Sequence, residues 1–159
     1  MKKTTFGAIA LAAAGVTGTV AAIKKMSGGE TEELRKLAEK HLGIMIAYDQ
    51  WLALKQDGKN LADYFEQNDY HKIAVYGMSY LGERLVNELR DTNIQVAYGI
   101  DQKADSLYSD IDIKLPEDEL EEVDVVVVTA ISFFDEIEAN LEKKLDCPII
   151  SFEDVLYGL

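Results

Sequence analysis

The chain has 159 residues and a mass of 17.7 kDa, which is enough for one domain with an appendage and too little for two full domains. Its composition, 48% hydrophobic and 28% charged, is globular rather than disordered. The single cysteine, Cys147, excludes an intramolecular disulfide. With only two histidines, His41 and His71, the chain offers no metal site built on His and Cys alone.

The net charge of −13 is unevenly distributed. Residues 1–25 hold four of the 16 basic residues and no acid, so the remaining residues carry 12 basic against 29 acidic groups, a net charge of −17. A body this acidic is repelled by the phosphates of nucleic acids. We therefore expect no DNA or RNA partner.

The first predicted element is a membrane anchor in residues 1–26. Residues 6–23 form an uncharged run of 18 residues, FGAIALAAAGVTGTVAAI, with a lysine pair on each side. As a helix this run is about 27 Å long, close to the thickness of a hydrocarbon core. Basic residues that follow it favour a cytoplasmic body: Arg35, Lys36 and Lys40.

A cleaved signal peptide is the alternative to the anchor. Val20-Ala21-Ala22 resembles a small-residue cleavage site, and cleavage would give a secreted body. If the segment is retained, small residues at a spacing of four would allow two such helices to pair in a homodimer: Ala10, Ala14, Gly18 and Ala22.

Residues 27–69 are predicted to form a helical connector. One apolar row has the spacing 4-3-4-3-4 and comprises Leu34, Ala38, His41, Met45, Tyr48 and Leu52. A second row beside it comprises Leu37, Ile44 and Trp51. We expect this wide face to pack on the main domain, on a partner subunit, or on both. Asp57-Gly58 then ends the helix, and Asn60 begins a short second one.

Residues 70–159 alternate between strand-like and helix-like segments. The predicted strands are Ile73–Tyr76, Ile94–Ile100, Ile111–Ile113, Val123–Val128 and Cys147–Ile150. The helices between them include one over Glu83–Leu89, one capped by Ser132, and a last one capped by Ser151 and ending at Gly158. This pattern predicts an α/β fold, a three-layer half-Rossmann parallel sheet with strand order 3-2-1-4-5.

A glycine loop follows the first predicted strand. Gly77-Met78-Ser79-Tyr80-Leu81-Gly82 matches the dinucleotide-binding fingerprint except that serine replaces the middle glycine. The two glycines suit a tight turn and a close approach of helix to sheet, and the helix N-terminus offers N–H groups to a phosphate. The Ser79 side chain narrows the space that a pyrophosphate would occupy.

Two further residues complete the predicted nucleotide site. Asp101 ends the second strand, 19 residues after Gly82, where an acid in this fold accepts hydrogen bonds from ribose hydroxyls. Thr129 directly follows the fourth strand, at the edge of the sheet where the winding of the chain reverses. A carboxylate at position 101 disfavours a 2′-phosphate, so we expect NAD or another ribonucleotide such as a UDP-sugar rather than NADP.

A family resemblance points in the same direction. Residues 72–105, KIAVYGMSYLGERLVNELRDTNIQVAYGIDQKAD, resemble the small Rossmann-like domains of bacterial surface-polysaccharide enzymes. These are the N-terminal domain of sugar O- and N-acyltransferases and the C-terminal domain of sugar C-methyltransferases. The resemblance implies that the glycine loop and Asp101 hold a UDP-sugar. The chain departs from the acyltransferases at Ser79 and in having no β-helix, so their catalytic histidine has no counterpart.

No catalytic constellation is evident in the chain. None of the eight tyrosines is followed four positions later by lysine, and neither a Gly-x-Ser-x-Gly elbow nor a Walker loop occurs. The sequence therefore favours a membrane-anchored nucleotide or nucleotide-sugar binding module, acting with a glycan-synthesis enzyme. Two alternatives stay open: a Rossmann-like scaffold that binds no ligand, and an NAD-dependent enzyme completed by a partner subunit.

Overall fold

The computed structural model describes the backbone of residues 5–159 and the side chains of residue 29 and residues 31–159. The chain divides into two compact units, residues 1–41 and residues 42–159. The helices are α1 (Thr5–Gln56), α2 (Leu61–Gln67), α3 (Tyr80–Leu89), α4 (Phe134–Leu141) and α5 (Phe152–Tyr157).

Helical backbone joins the predicted anchor, residues 1–26, to the predicted connector, residues 27–69. The backbone is one continuous helix, α1, because glycine at positions 28 and 29 lowers helix stability by only about 1 kcal/mol each and does not forbid helical dihedrals. Among the described residues, no helix is long and apolar enough to cross a membrane. The predicted anchor, residues 6–23, lies outside the residues whose side chains are described.

The five strands form one parallel sheet. They are β1 (Lys72–Tyr76), β2 (Gln95–Ile100), β3 (Ile113–Lys114), β4 (Val125–Val128) and β5 (Ile149–Ser151). The strand order is β3-β2-β1-β4-β5, which confirms the predicted order and is compatible with a Rossmann-like fold. Every residue of β4 is buried, as expected of a β-branched strand that is covered on both faces.

Helices cover both faces of the sheet and create two apolar cores. On one face, α2, α3, α5 and the end of α1 pack over side chains that include Ile73, Val75 and Val127. On the other face, α4 packs over side chains that include Ala74 and Val126. This arrangement is the three-layer architecture expected from alternating strands and helices.

The end of α1 is part of the larger unit's core. Ala47, Trp51 and Leu54 are buried, and the Trp51 ring meets Phe152 edge to face at 5.1 Å between centroids. Of the apolar row that runs from Leu34 to Leu52, Met45 and Leu52 are exposed, whereas Tyr48 stacks on Trp51 at 6.2 Å between ring centroids. The wide face predicted from the sequence is therefore split. Trp51 of the second row is packed in the core, whereas Met45 and Leu52 of the first row remain exposed.

A single carboxylate joins three helices on this face. Glu88 of α3 accepts hydrogen bonds from Trp51 Nε1 at 2.7 Å, from the Leu61 N–H at 2.9 Å and from Lys55 Nζ at 3.0 Å. Its side chain is mostly buried, at 11% exposure, and a carboxylate so placed requires several donors. The three bonds fix the end of α1 and the start of α2 against α3.

Most of the predicted helix ends are confirmed. Gly58 has φ +77 just after α1, and Asn60 and Ser151 each form a capping box, with Asp63 and Asp154. The predicted cap at Ser132 is wrong. A 3-10 turn over Ile131–Phe133 precedes α4, and α4 starts from Phe133 without a side-chain cap.

Each of the five strands begins one or two residues away from its predicted start, and for β4 the reason is local. β4 begins at Val125 rather than at position 123, because the Asp124 carboxylate accepts hydrogen bonds from the N–H groups of His71 and Lys72, both at 2.7 Å. These bonds hold the pKa of Asp124 below its ordinary value. β3 is reduced to two residues, Ile113 and Lys114, at the edge of the sheet.

Candidate functional site

The predicted site residues converge at the carboxyl edge of the sheet. Gly77 directly follows β1, Asp101 follows β2 and Thr129 follows β4, and β1 lies between β2 and β4. After β1 the chain enters α3 on one face of the sheet, and after β4 it enters α4 on the other. The edge between β1 and β4 is therefore the point where the winding reverses, which in open α/β sheets is the usual place for a ligand.

Gly77 makes the turn out of β1. Its φ of +95 is unfavourable for any residue with a side chain, and its N–H donates to the Ile100 carbonyl at 2.8 Å. A Cβ at this position would lie 2.8 Å from Thr129 Oγ1. Both the backbone conformation and the neighbouring strand thus require glycine here.

Gly82 allows the loop to fold onto the first turn of α3. A Cβ on Gly82 would lie 2.1 Å from the Gly77 carbonyl oxygen and 3.4 Å from Thr129 Oγ1. A side chain cannot share that space with a backbone oxygen. The two glycines of the fingerprint therefore contact each other and define a single compact turn, as their spacing in the sequence predicts.

The start of α3 presents donors without acceptors. The N–H groups of Tyr80, Leu81 and Gly82 have no hydrogen-bond acceptor among the described residues, and Ser79 precedes them without a side-chain cap. A helix N-terminus of this kind carries a partial positive charge. The exposed Ser79 hydroxyl adds a donor at the same point.

Asp101 has a structural role within the loop. Its Oδ2 accepts the Met78 N–H at 2.9 Å and its Oδ1 accepts the Lys103 N–H at 2.9 Å. The carboxylate therefore holds the glycine loop and closes the turn after β2. The second of these bonds is an Asx turn, and an Asp two residues before the N–H it accepts is the sequence signal for one.

Thr129 supports the loop from the neighbouring strand. Its side chain is buried, and Oγ1 lies 2.6 Å from the Gly77 carbonyl and 3.1 Å from the Tyr76 carbonyl, with its single proton shared between them. The hydroxyl is thus used inside the protein. Its direct effect is on the position of Gly77.

The middle of the loop is anchored in the core. The side chains of Met78 and Leu81 are each 2% exposed, so only their backbone groups reach the edge of the sheet. Met78 lies over Gly99, where a Cβ would come within 2.7 Å of Met78 Cγ. Tyr80, by contrast, is 68% exposed, and its carbonyl accepts the Tyr48 hydroxyl at 2.9 Å.

A cavity of about 390 Å³ lies on the α4 face beside this edge. Two of its lining residues are sequence neighbours of the site, Tyr76 before Gly77 and Gln102 after Asp101, and the others include Pro116, Lys143 and Lys144. Burial raises the pKa of Tyr76. Lys144 Nζ donates to the Pro116 carbonyl, which holds its charge at the cavity wall. The sequence did not reveal this cavity because its walls come from segments far apart in the chain.

The described residues show no further chemical centre. No group of three or more His, Cys, Asp or Glu side chains is placed to hold a metal ion among residues 31–159. Cys147 is half buried, and burial raises the pKa of its thiol, so the reactive thiolate is disfavoured.

The comparisons with known proteins add no relative. No protein-family model, curated protein or solved structure gives a significant match to the chain. The fold and the geometry of the loop therefore carry the functional argument.

Proposed function

We propose that the protein is a nucleotide or nucleotide-sugar binding module with a half-Rossmann body. The observation that carries the proposal is the start of α3, where the N–H groups of Tyr80, Leu81 and Gly82 have no acceptor among the described residues and adjoin the turn at Gly77. Such a turn at the reversal point of a parallel sheet is suited to a phosphate or pyrophosphate.

The negative charge of the body means that phosphate can be attracted only at particular points of its surface, not by the protein as a whole. With a net charge of −17 outside residues 1–25, the protein repels polyanions at long range. A small anion meets positive charge at the helix N-terminus, and the nearby cavity is lined by two lysines, Lys143 and Lys144, against one acid, Glu117. This combination favours a mononucleotide-sized ligand over a nucleic acid.

The edge of the sheet gives each part of such a ligand a partner. The phosphates would lie at Tyr80, Leu81 and Gly82, and the ribose hydroxyls would reach the lone pairs of Asp101 that Met78 and Lys103 leave unused. The remaining ring would enter the cavity beside Gln102. Its volume, about 390 Å³, lies at the lower end of the range for small-molecule sites.

The membrane and glycan context of the function is part of the proposal. Residues 6–23 would anchor the body to the cytoplasmic face of a membrane, where a glycan-synthesis enzyme would be its partner. Mass spectrometry of the native protein should then find residues 1–25 present. A mature chain beginning at Ile23 would instead establish a cleaved signal peptide.

A scaffold without ligand is the second candidate, and one observation favours it. Asp101 and Thr129, which the sequence assigns to the ligand, both hydrogen-bond within the loop. The loop is therefore held in shape without any nucleotide. A scaffold would keep both glycines for the fold alone.

Ligand binding to the full chain distinguishes the two candidates. We expect NAD or a UDP-sugar to raise the melting temperature, and Asp101→Ala to weaken that binding about 10- to 150-fold, since a charged acceptor is lost. Asp101→Ala also removes the acceptor of the Met78 N–H, so we expect it to lower the free energy of unfolding by about 1–3 kcal/mol. Calorimetry and urea unfolding measure the two effects separately.

Asp105→Ala is the matched control. It also removes one carboxylate, but Asp105 is exposed and lies four residues after Asp101 in the chain. It should leave both affinity and stability close to those of the parent. If NAD, UDP-sugars and CoA all leave the melting temperature unchanged at millimolar concentration, the scaffold is the correct candidate. If Asp101→Ala binds as tightly as the parent, Asp101 does not contact the ligand.

A further inference from the structure

The last three turns of α1 have two apolar sides. Ala47, Trp51 and Leu54 are buried in the core of the larger unit. Met45 and Leu52 lie on the other side of the helix and are 61% and 57% exposed. A row of large apolar side chains left in water on a helix that is already packed indicates a second contact.

The exposed side has the spacing of a coiled coil. The row from Leu34 to Leu52 alternates steps of four and three residues, with Ala38, His41, Met45 and Tyr48 between them. In the unit of residues 1–41, Leu34 is 67% exposed. We call this row, from Leu34 to Leu52, the seam. It ends at Leu52 because the next position of the repeat is Lys55, which pairs with Glu88.

We propose that this seam, residues 34–52, pairs with the same seam of a second copy as a parallel, in-register coiled coil. The flanking positions support a second copy. In parallel pairing, position 37 faces position 42 of the other chain, and both are leucines that are 51% exposed.

The opposite orientation leaves one of these leucines without a partner. In an antiparallel pair with the same core contacts, position 37 faces position 51 of the other chain. Trp51 is 6% exposed, and its ring and Nε1 already contact Phe152 and Glu88. Parallel pairing is therefore the arrangement that covers both Leu37 and Leu42.

Charge placed in the seam tests the proposal. We expect the full chain to sediment as a dimer, and Met45→Glu combined with Leu52→Glu to raise the dimer dissociation constant at least about 100-fold, because two carboxylates per chain would be buried. Ile46→Glu is the matched control: Ile46 is 45% exposed on the same helix but lies off the seam. It should leave the dimer intact, and circular dichroism should show all variants folded.

Disulfide trapping fixes the orientation. In a Cys147→Ser background, Met45→Cys should form a disulfide-linked dimer under mild oxidation and Ile46→Cys should not. A monomeric parent protein would overturn the proposal. A dimer that persists in the double glutamate variant would also overturn it, because the contact between the chains would then lie elsewhere, as in residues 6–23. Cross-linking only between Leu34→Cys and Leu52→Cys chains would show antiparallel pairing and contradict the orientation.

Discussion

Gly82→Ala is expected to lower the free energy of unfolding by about 2–4 kcal/mol. The added Cβ would lie 2.1 Å from the Gly77 carbonyl oxygen, a backbone atom that cannot move away without changing the turn. Gly77 is in turn held by Ile100 and Thr129, so the strain spreads to β2 and β4. Urea unfolding followed by circular dichroism measures the change.

Gly43→Ala provides the contrast. Gly43 lies within α1, and a Cβ there would meet nothing within 4 Å. Because alanine favours the helix over glycine by about 1 kcal/mol, this variant should be as stable as the parent or more stable. Equal stability of Gly82→Ala and the parent would show that the loop does not fold onto α3 as described.

Trp51→Ala is the second substitution with a large expected effect, a loss of about 3–5 kcal/mol. The indole fills the space between α1 and α5, in contact with Phe152, and its Nε1 donates to Glu88 at 2.7 Å. Leu61 and Lys55 would still bond Glu88, so the loss comes mainly from the cavity. Chemical unfolding at constant protein concentration measures it.

Ile46→Ala, five positions earlier, is the control for this substitution. Ile46 is 45% exposed on the same helix, and its truncation should cost less than about 1 kcal/mol. A Trp51→Ala protein as stable as the Ile46→Ala protein would mean that residues 42–56 are not part of the folded body. The body would then begin at α2, whose Leu61 and Phe65 are buried in the same core.

The sheet was predictable because its strands carry strong local signals. The β-branched run at Val123–Val128 indicated a doubly covered strand, observed over Val125–Val128, and Gly77 and Gly82 indicated the first strand-to-helix turn. With right-handed crossovers, these segments leave few alternatives to the observed strand order. The helix caps at Asn60 and Ser151 were equally local, since a capping box is read from residues three apart.

The contacts that shape the candidate site were less predictable because they join distant segments. Nothing in the local sequence shows that Asp101 accepts the Met78 N–H, 23 residues away, or that Thr129 lies 2.6 Å from the Gly77 carbonyl. The choice of packed side on α1 was equally hidden. Both rows are apolar, so periodicity alone cannot tell which one the protein's own core covers.

The most direct test of nucleotide binding is to observe the N–H groups proposed to hold the phosphates. Backbone ¹H–¹⁵N spectra of the full chain should be recorded while a UDP-sugar, and separately NAD, is added to millimolar concentration. We expect the largest shifts at the amides of Tyr80, Leu81 and Gly82, with the amides of Gly58 and Gly158 unchanged. Shifts absent from the start of α3 with both ligands, or confined to other parts of the chain, would contradict a nucleotide site at this loop.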